Sequence, residues 1–204
     1  MKKNNIKLVF FDLGSVLIHV HIEKFFLAFA RHTGLDLETV KLKSESLRSV
    51  VSEFNCGTIT PVDFYNKTCN GYGNLSFEDF ADMYTNIFTL NEDIASIASK
   101  LKKHVRLSII SNTDEMHYGY IMEHFPVMKM FENPVTSFRA RSIKPDKEIF
   151  LYALNKVQLK SEECLFIDDK RENVDSANVL GFNGIHYTNT EKLIKDLKLY
   201  GFNL

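Results

Sequence analysis

Four short stretches of this chain carry side chains that could do chemistry, and each lies where a fold can present it. The run Lys7-Leu8-Val9-Phe10-Phe11 ends on Asp12, followed by Leu13 and Gly14. Arg106-Leu107-Ser108-Ile109-Ile110 ends on Ser111-Asn112-Thr113, and Cys164-Leu165-Phe166-Ile167 ends on Asp168-Asp169. Between the last two lies Lys144-Pro145-Asp146. Apolar runs of this length, bounded by polar and turn residues, read as buried parallel strands. Open α/β sheets place their chemistry at the C-terminal edge of such strands. A carboxylate delivered there, as Asp12 is, serves as a metal ligand, a nucleophile, or both.

The elements that must position these residues follow from periodicity. After the Asp12 strand the pattern turns helical. Phe25, Phe26 and Phe29 mark one apolar face, and Leu37, Val40, Leu47, Val51 and Phe54 mark a second helix. Thr60-Pro61 caps a third helix, carrying Val62, Phe64 and Tyr65. Ser76, with Asp79 three residues on, caps a fourth that buries Phe77, Phe80, Tyr84, Ile87 and Phe88. Gly71-Tyr72-Gly73-Asn74 separates the last two as a loop. From Asn91 strands and helices alternate to the end: helices near residues 91–104, 114–124, 146–157 and 170–180, and strands at Pro134–Ser137 and Gly184–Tyr187 besides those named. That alternation predicts an α/β fold, a doubly wound parallel sheet. Residues 1–18 and 91–204 form the core, and residues 19–90 form an inserted helical layer whose apolar faces satisfy one another.

The bulk properties narrow the partners. With 25 basic and 26 acidic residues the net charge is -1, which gives no electrostatic reason to bind nucleic acid or an anionic membrane. A small molecule is the expected partner. Three cysteines, Cys56, Cys69 and Cys164, lack metal-ligand spacing and point to a reducing compartment, hence the cytoplasm. The start Met1-Lys2-Lys3-Asn4-Asn5 precedes an apolar run cut by Asp12 and Gly14, a poor signal peptide. No run approaches the roughly 18 apolar residues of a membrane span.

Taken together and in this order, a strand ending in Asp12-x-Gly14, a strand ending in Ser111-Asn112, Lys144-Pro145, and a strand ending in Asp168-Asp169 resemble the haloacid dehalogenase-like hydrolase superfamily. The helical block falls where that family inserts its cap into a Rossmann-like core. The Asp-Leu-Gly opening is most similar to the sugar-1-phosphate phosphatase subgroup. The resemblance implies a Mg²⁺-dependent phosphatase acting on a small phosphomonoester such as a sugar phosphate. In it Asp12 is the nucleophile that forms an aspartyl-phosphate. Asp12, Asp169 and the Gly14 carbonyl hold the metal, with Asp168 binding directly or through water. Lys144 and Ser111 stabilise the phosphate, Asn112 joins them in binding it, and Asn173 orients the metal-site carboxylates.

One departure stands out. Most phosphatases of this superfamily have a second aspartate two residues after the first, as general acid and base; here that position is Gly14. General acid catalysis is worth about 10² to 10⁴ in rate. Either the leaving group is acidic enough to need little protonation, or another side chain such as His19 or His21 takes the role. A haloacid dehalogenase uses the same aspartate without metal, and a non-catalytic binding protein is the third reading. The loop before Lys144 carries Arg139 and Arg141, which either contact a charged substrate or are solvated. Cys56, beside Gly57, lies near where this family reads its substrate. The aromatic residues of the helical block are read as helix packing rather than a nucleobase pocket.

Overall fold

The computed structural model describes residues 5–72 and 75–203. Residues 73 and 74 of the expected glycine loop, and residues 1–4 of the N-terminal start, lie outside the described residues. The core is a five-stranded parallel sheet in the order β5-β4-β1-β6-β7. Its strands are β1 (Leu8–Phe11), β4 (Arg106–Ser111), β5 (Val135–Thr136), β6 (Cys164–Asp168) and β7 (Asn183–His186). The central strand, β1, pairs with both β4 and β6, so Leu8 lies between Arg106 and Cys164, and Phe11 between Ile109 and Ile167.

Alternation along these strands divides the core into two faces. Val9, Phe11, Leu107, Ile109, Leu165 and Ile167 enter one cluster, covered by α6 (Glu92–Leu101), α7 (Glu115–His124) and α11 (Thr190–Leu199). Leu8, Phe10, Ile110, Cys164 and Phe166 enter the other, beneath α9 (Lys147–Val157) and α10 (Arg171–Val179). Strands with no polar side to spare are what a sheet covered on both faces requires. The expected α/β doubly wound sheet is therefore present.

Between β1 and α6 the described residues make five helices: α1 (Ile22–Thr33), α2 (Leu37–Ser46), α3 (Arg48–Asn55), α4 (Pro61–Cys69) and α5 (Phe77–Thr85). They share a separate apolar cluster containing Phe29, Val40, Phe54, Phe64, Phe80 and Tyr84. The caps at Thr60 and Ser76 form as their sequences predict, each side-chain oxygen accepting from the backbone N–H three residues on, Asp63 and Asp79.

Two expectations need correction. The helix expected from Leu37 through Phe54 is two helices, broken at Leu47, which ends α2 and begins α3. Ser44 and Ser46 donate to the Lys41 and Lys43 carbonyls, and such back-bonding competes with the helical ladder. Nor is the block purely helical. β2 (Ile18–Val20) and β3 (Phe88–Leu90) pair antiparallel, His19 opposite Thr89, so the chain leaves and re-enters the core through one two-stranded ribbon. The boundaries expected at 18/19 and 90/91 fall in that ribbon and at its end. Asn91 secures the return, its amide donating to the Val16 carbonyl while its Oδ1 caps α6.

Candidate active site

Asp12 stands one residue past β1, its N–H bonded to the Ile167 carbonyl at 2.9 Å, which carries the strand register into the turn. The turn then closes on itself. Leu13 N–H donates to Asp12 Oδ1 at 2.7 Å, and the Leu13 carbonyl accepts from Leu17 and Ile18. From the neighbouring strand end come Asp168 and Asp169. Ligand oxygens of Asp12, Asp168 and Asp169 all lie within 4.8 Å of one another.

Lys144 is driven into the middle of this group. Only 3% exposed, its ammonium donates to Asp168 Oδ2 at 2.7 Å and to the Ile110 carbonyl at 2.8 Å, and pairs with the Asp12 Oδ1 charge at 2.9 Å. Asn112 fixes where that side chain starts. Its Oδ1 accepts from Lys144 N–H at 2.7 Å and its Nδ2 donates to the Lys144 carbonyl at 2.9 Å. Both ends of the Asn112 amide are thus spent on the lysine backbone. Asp168 is equally saturated: Asn173 Nδ2 reaches both its oxygens, at 3.0 and 3.1 Å, and Lys170 N–H reaches Oδ1 at 2.8 Å.

Three carboxylates around one ammonium leave an excess of negative charge. Burial, with Asp168 adding to it, pushes the Asp12 carboxyl up to about 6 despite the pull of Lys144. Burial and then Asp168 also raise Asp169 against the weaker pull of Lys170 and Lys144, and among the described residues no other side chain hydrogen-bonds or ion-pairs with its carboxylate. Asn173 Oδ1 is buried with no hydrogen-bond partner among the described residues. A set of hard oxygens, short of positive charge and with an orphaned acceptor beside it, fits a small divalent cation such as Mg²⁺.

At position 14 there is space rather than a side chain. A Cβ built on Gly14 would have Val20 Cγ2 as its nearest contact, at 3.7 Å, so packing does not demand glycine there. The histidines do not fill the gap. Along β2 it is Val20 that lines the adjoining cavity, while His19 and His21 alternate to the other side and His21 Nε2 pairs with Thr89 Oγ1 at 2.7 Å. Ser111, 2% exposed, sits on the cavity floor beside Asn112, Thr113 and Gly14.

Arg141 joins the helical layer to the core, and Arg139 packs within the core. The Arg141 guanidinium donates to the Gly57 carbonyl, and Arg139 lies 5.0 Å over the Tyr118 ring. Gly57 has φ +65°, and a Cβ there would strike the Phe138 carbonyl, so α3 ends hard against α8 (Ser137–Ala140). Cys56, half-buried at the same junction, does not line the cavity.

A buried network at the other side of the floor is not apparent from the motifs. Asp114 caps α7 and accepts from Tyr84 Oη of α5 at 2.9 Å, and His117 Nδ1 lies 2.7 Å from the same oxygen. His117 Nε2 is 3.0 Å from the Tyr84 carbonyl, and the two rings stack at 4.0 Å. Burial alone would raise Asp114, but His117 and the bonds to it hold the carboxyl below its ordinary range. Burial, then Asp114, raises the Tyr84 hydroxyl well above its usual value. The signal available in sequence was the acid at 114 and the histidine three residues later, one helical turn on the same face.

The match to known families decides the membership: the haloacid dehalogenase-like hydrolase family matches residues 6–181. The chain is a haloacid dehalogenase-like hydrolase. Among curated proteins, this hydrolase is similar to a sesquiterpene phosphatase of Aspergillus oryzae, 26% identical over 149 residues, 72% of this chain and 76% of the relative. A haloacid dehalogenase-like enzyme of Bacteroides thetaiotaomicron shares the fold with TM-score 0.84 at 24% identity, over 94% of this chain and 98% of that one. The same enzyme has been crystallised with magnesium and inorganic phosphate, and that structure gives TM-score 0.80 at 24% identity, over 90% and 94% of the two chains. The L-2-haloacid dehalogenase of Xanthobacter autotrophicus shares the fold with TM-score 0.65 at 17% identity, over 98% and 85%. No helix among the described residues is long and apolar enough to cross a membrane.

Proposed function

We propose that this hydrolase is a phosphatase that cleaves a small phosphomonoester through an aspartyl-phosphate on Asp12. The observation that carries the reading is the placement of Asp12 within 4.8 Å of two further carboxylates and 2.9 Å from a buried lysine. A carboxylate attacking a phosphate dianion meets like-charge repulsion, and this site is built to receive compensating charge. The phosphatase name of the Aspergillus relative and the magnesium and phosphate bound by the Bacteroides enzyme support it.

In this mechanism an ionised Asp12 oxygen attacks phosphorus, the new P–O bond forms as the bond to the alcohol breaks, and the electron pair leaves with the alcohol oxygen. With no carboxylate at Gly14, that oxygen takes its proton from water. A second water then attacks phosphorus, its proton passes to solvent, and Asp12 departs as a carboxylate. Lys144 and the Ser111 hydroxyl hold the non-bridging oxygens, Asn112 keeps Lys144 in place, and Asn173 keeps Asp168 oriented. Asp12, Asp169 and the Gly14 carbonyl would hold Mg²⁺, with Asp168 direct or through water; when bound it neutralises phosphate charge between nucleophile and substrate. Residues 19–90 act as a cap that opens to admit substrate and closes to exclude bulk water, in a cytoplasmic enzyme.

The test is phosphate release from a panel of aryl, sugar and nucleoside phosphates, with Mg²⁺ and with chelator, alongside halide release from a 2-haloacid. Turnover of at least one phosphate ester, lost with chelator, supports the phosphatase. Halide release that survives chelation would favour the dehalogenase. Neither product from folded protein would favour a binding protein, the reading that Gly14 motivates.

A further inference from the structure

A cavity of about 400 Å³ opens from the candidate site into the helical layer, within the roughly 300–1,000 Å³ of small-molecule pockets. Its floor is Leu13, Gly14 and the Ser111–Asp114 segment, the backbone that adjoins Asp12. Its walls are apolar: Phe25, Phe26, Phe29, Val40, Phe64 and Phe80 all line it. Aromatic side chains expected only to pack helices therefore also face an open volume. Val20, Ile22 and Val51 are 45%, 41% and 36% exposed and also line it, an apolar rim where a soluble surface would ordinarily be polar.

Most polar side chains of that wall that belong to its helices are spent on the protein itself. Ser44 and Thr68 donate to carbonyls of their own helices, and Tyr84, Asp114 and His117 bond one another. Lys43, on the outer wall, turns its ammonium over the Tyr72 ring at 5.4 Å. Asn55, the Tyr72 hydroxyl and the Lys43 ammonium, the last at the outer edge, are the wall's groups left for a ligand. A sugar or nucleoside carries more hydroxyls than these few groups can satisfy, and the rest would lose water here without replacement. The floor adds a second constraint. With Gly14 in place of a carboxylate acid, an alcohol that leaves readily without protonation is favoured.

We infer that this cavity takes the carbon skeleton of the substrate, and that the substrate is the phosphomonoester of an apolar aryl alcohol. The inference rests on the phosphatase reading and names what that site cleaves. Phenolic leaving groups meet both constraints at once, since the ring is apolar and its oxygen is acidic.

The experiment is kcat/KM with Mg²⁺ for phenyl phosphate and its 4-methyl, 4-propyl and 4-pentyl derivatives, with a hexose 1-phosphate, a hexose 6-phosphate and a nucleoside 5′-monophosphate as comparisons. Leaving-group acidity is nearly constant along the aryl series while apolar area grows. The expected result is a rise of about three- to fourfold per methylene until the cavity is full. The sugar and nucleoside esters should fall at least tenfold below phenyl phosphate. Val51→Asp, at a half-open position that tolerates a charge, should lower the 4-pentyl ester by about tenfold or more with thermal stability retained. A flat aryl series with Mg²⁺-dependent turnover, or preference for a sugar or nucleoside ester, overturns the substrate class and leaves the phosphatase standing. Pentyl turnover unchanged in Val51→Asp overturns the assignment of the cavity. Absence of phosphate release from every ester overturns both.

Discussion

The residues of the site are held by charge that does not balance, and this has a measurable consequence. Asp12 in the folded protein keeps its proton up to about pH 6, whereas the free side chain releases it near 3.8. Between those values the folded state holds more protons than the unfolded one, so stability contributed by this group falls as pH rises through the window. Asp12→Asn removes the charge with little change in shape and leaves Lys144 its 2.7 Å bond to Asp168. Metal-free Asp12→Asn is therefore expected to be more stable than the parent at pH 7, by about 3 kcal/mol, with most of the advantage gone by pH 4. Thermal unfolding in chelator at the two pH values checks it. Gly14 allows a complementary gain. Since a Cβ there meets only Val20 at 3.7 Å, Gly14→Asp should fold and supply the missing acid. We expect cyclohexyl phosphate, a poor leaving group, to be hydrolysed about 10- to 100-fold faster, and phenyl phosphate to gain less. Equal effects on the two esters in steady-state assays would count against an acid role at this position. In the proposed mechanism Asn112 is a positioning residue, because both hydrogen bonds of its amide go to the lysine backbone. Asn112→Ala should lower kcat by about 10²-fold with KM changed much less. Asp12 and Asp168-Asp169 were legible as candidate site residues from their strand-end positions, whereas Lys144, in a loop between two helices, stood out only through the family resemblance. The use of Asn112 was not, since nothing in a linear chain says that position 112 meets position 144.

Elements carry the next level of the account. Strands β1, β4 and β6 were readable because each is a short, predominantly apolar run, broken in β4 only by the buried Ser108, a pattern that a sheet covered on both faces imposes. The helical layer was readable in outline but not at its joints. At Leu47 the apolar period runs straight on, and only the serine back-bonds at 44 and 46 mark the break. The β2–β3 ribbon is three residues a side and its partners are some seventy positions apart, so local pattern could not pair them. The contact between α5 and α7 is of the same long-range kind. Tyr84 donates to a carboxylate that is 1% exposed. Tyr84→Phe should leave Asp114 short of a donor and cost about 1–2 kcal/mol. Urea unfolding would measure that loss, and an unchanged midpoint would show that the hydroxyl does not tie the helical layer to the core.

At the scale of the whole molecule, a doubly wound sheet gathers residues 12, 111, 144 and 168–169 at one edge, and a helical layer closes over that edge. Order along the chain was enough to read the sheet, because parallel strands joined by helices admit few arrangements. The cavity between the layers was beyond reach, since it depends on which faces of five helices point inward and how closely they approach. In the proposed function everything turns on a bond between Asp12 and phosphorus. Its most direct test is acid quenching of the enzyme during steady turnover of phenyl phosphate with Mg²⁺, followed by peptide mass spectrometry. We predict phosphate on the peptide containing Asp12, absent in chelator and absent in Asp12→Asn, which should also lose turnover. Turnover that persists in Asp12→Asn, or phosphate found on another residue, would contradict the account.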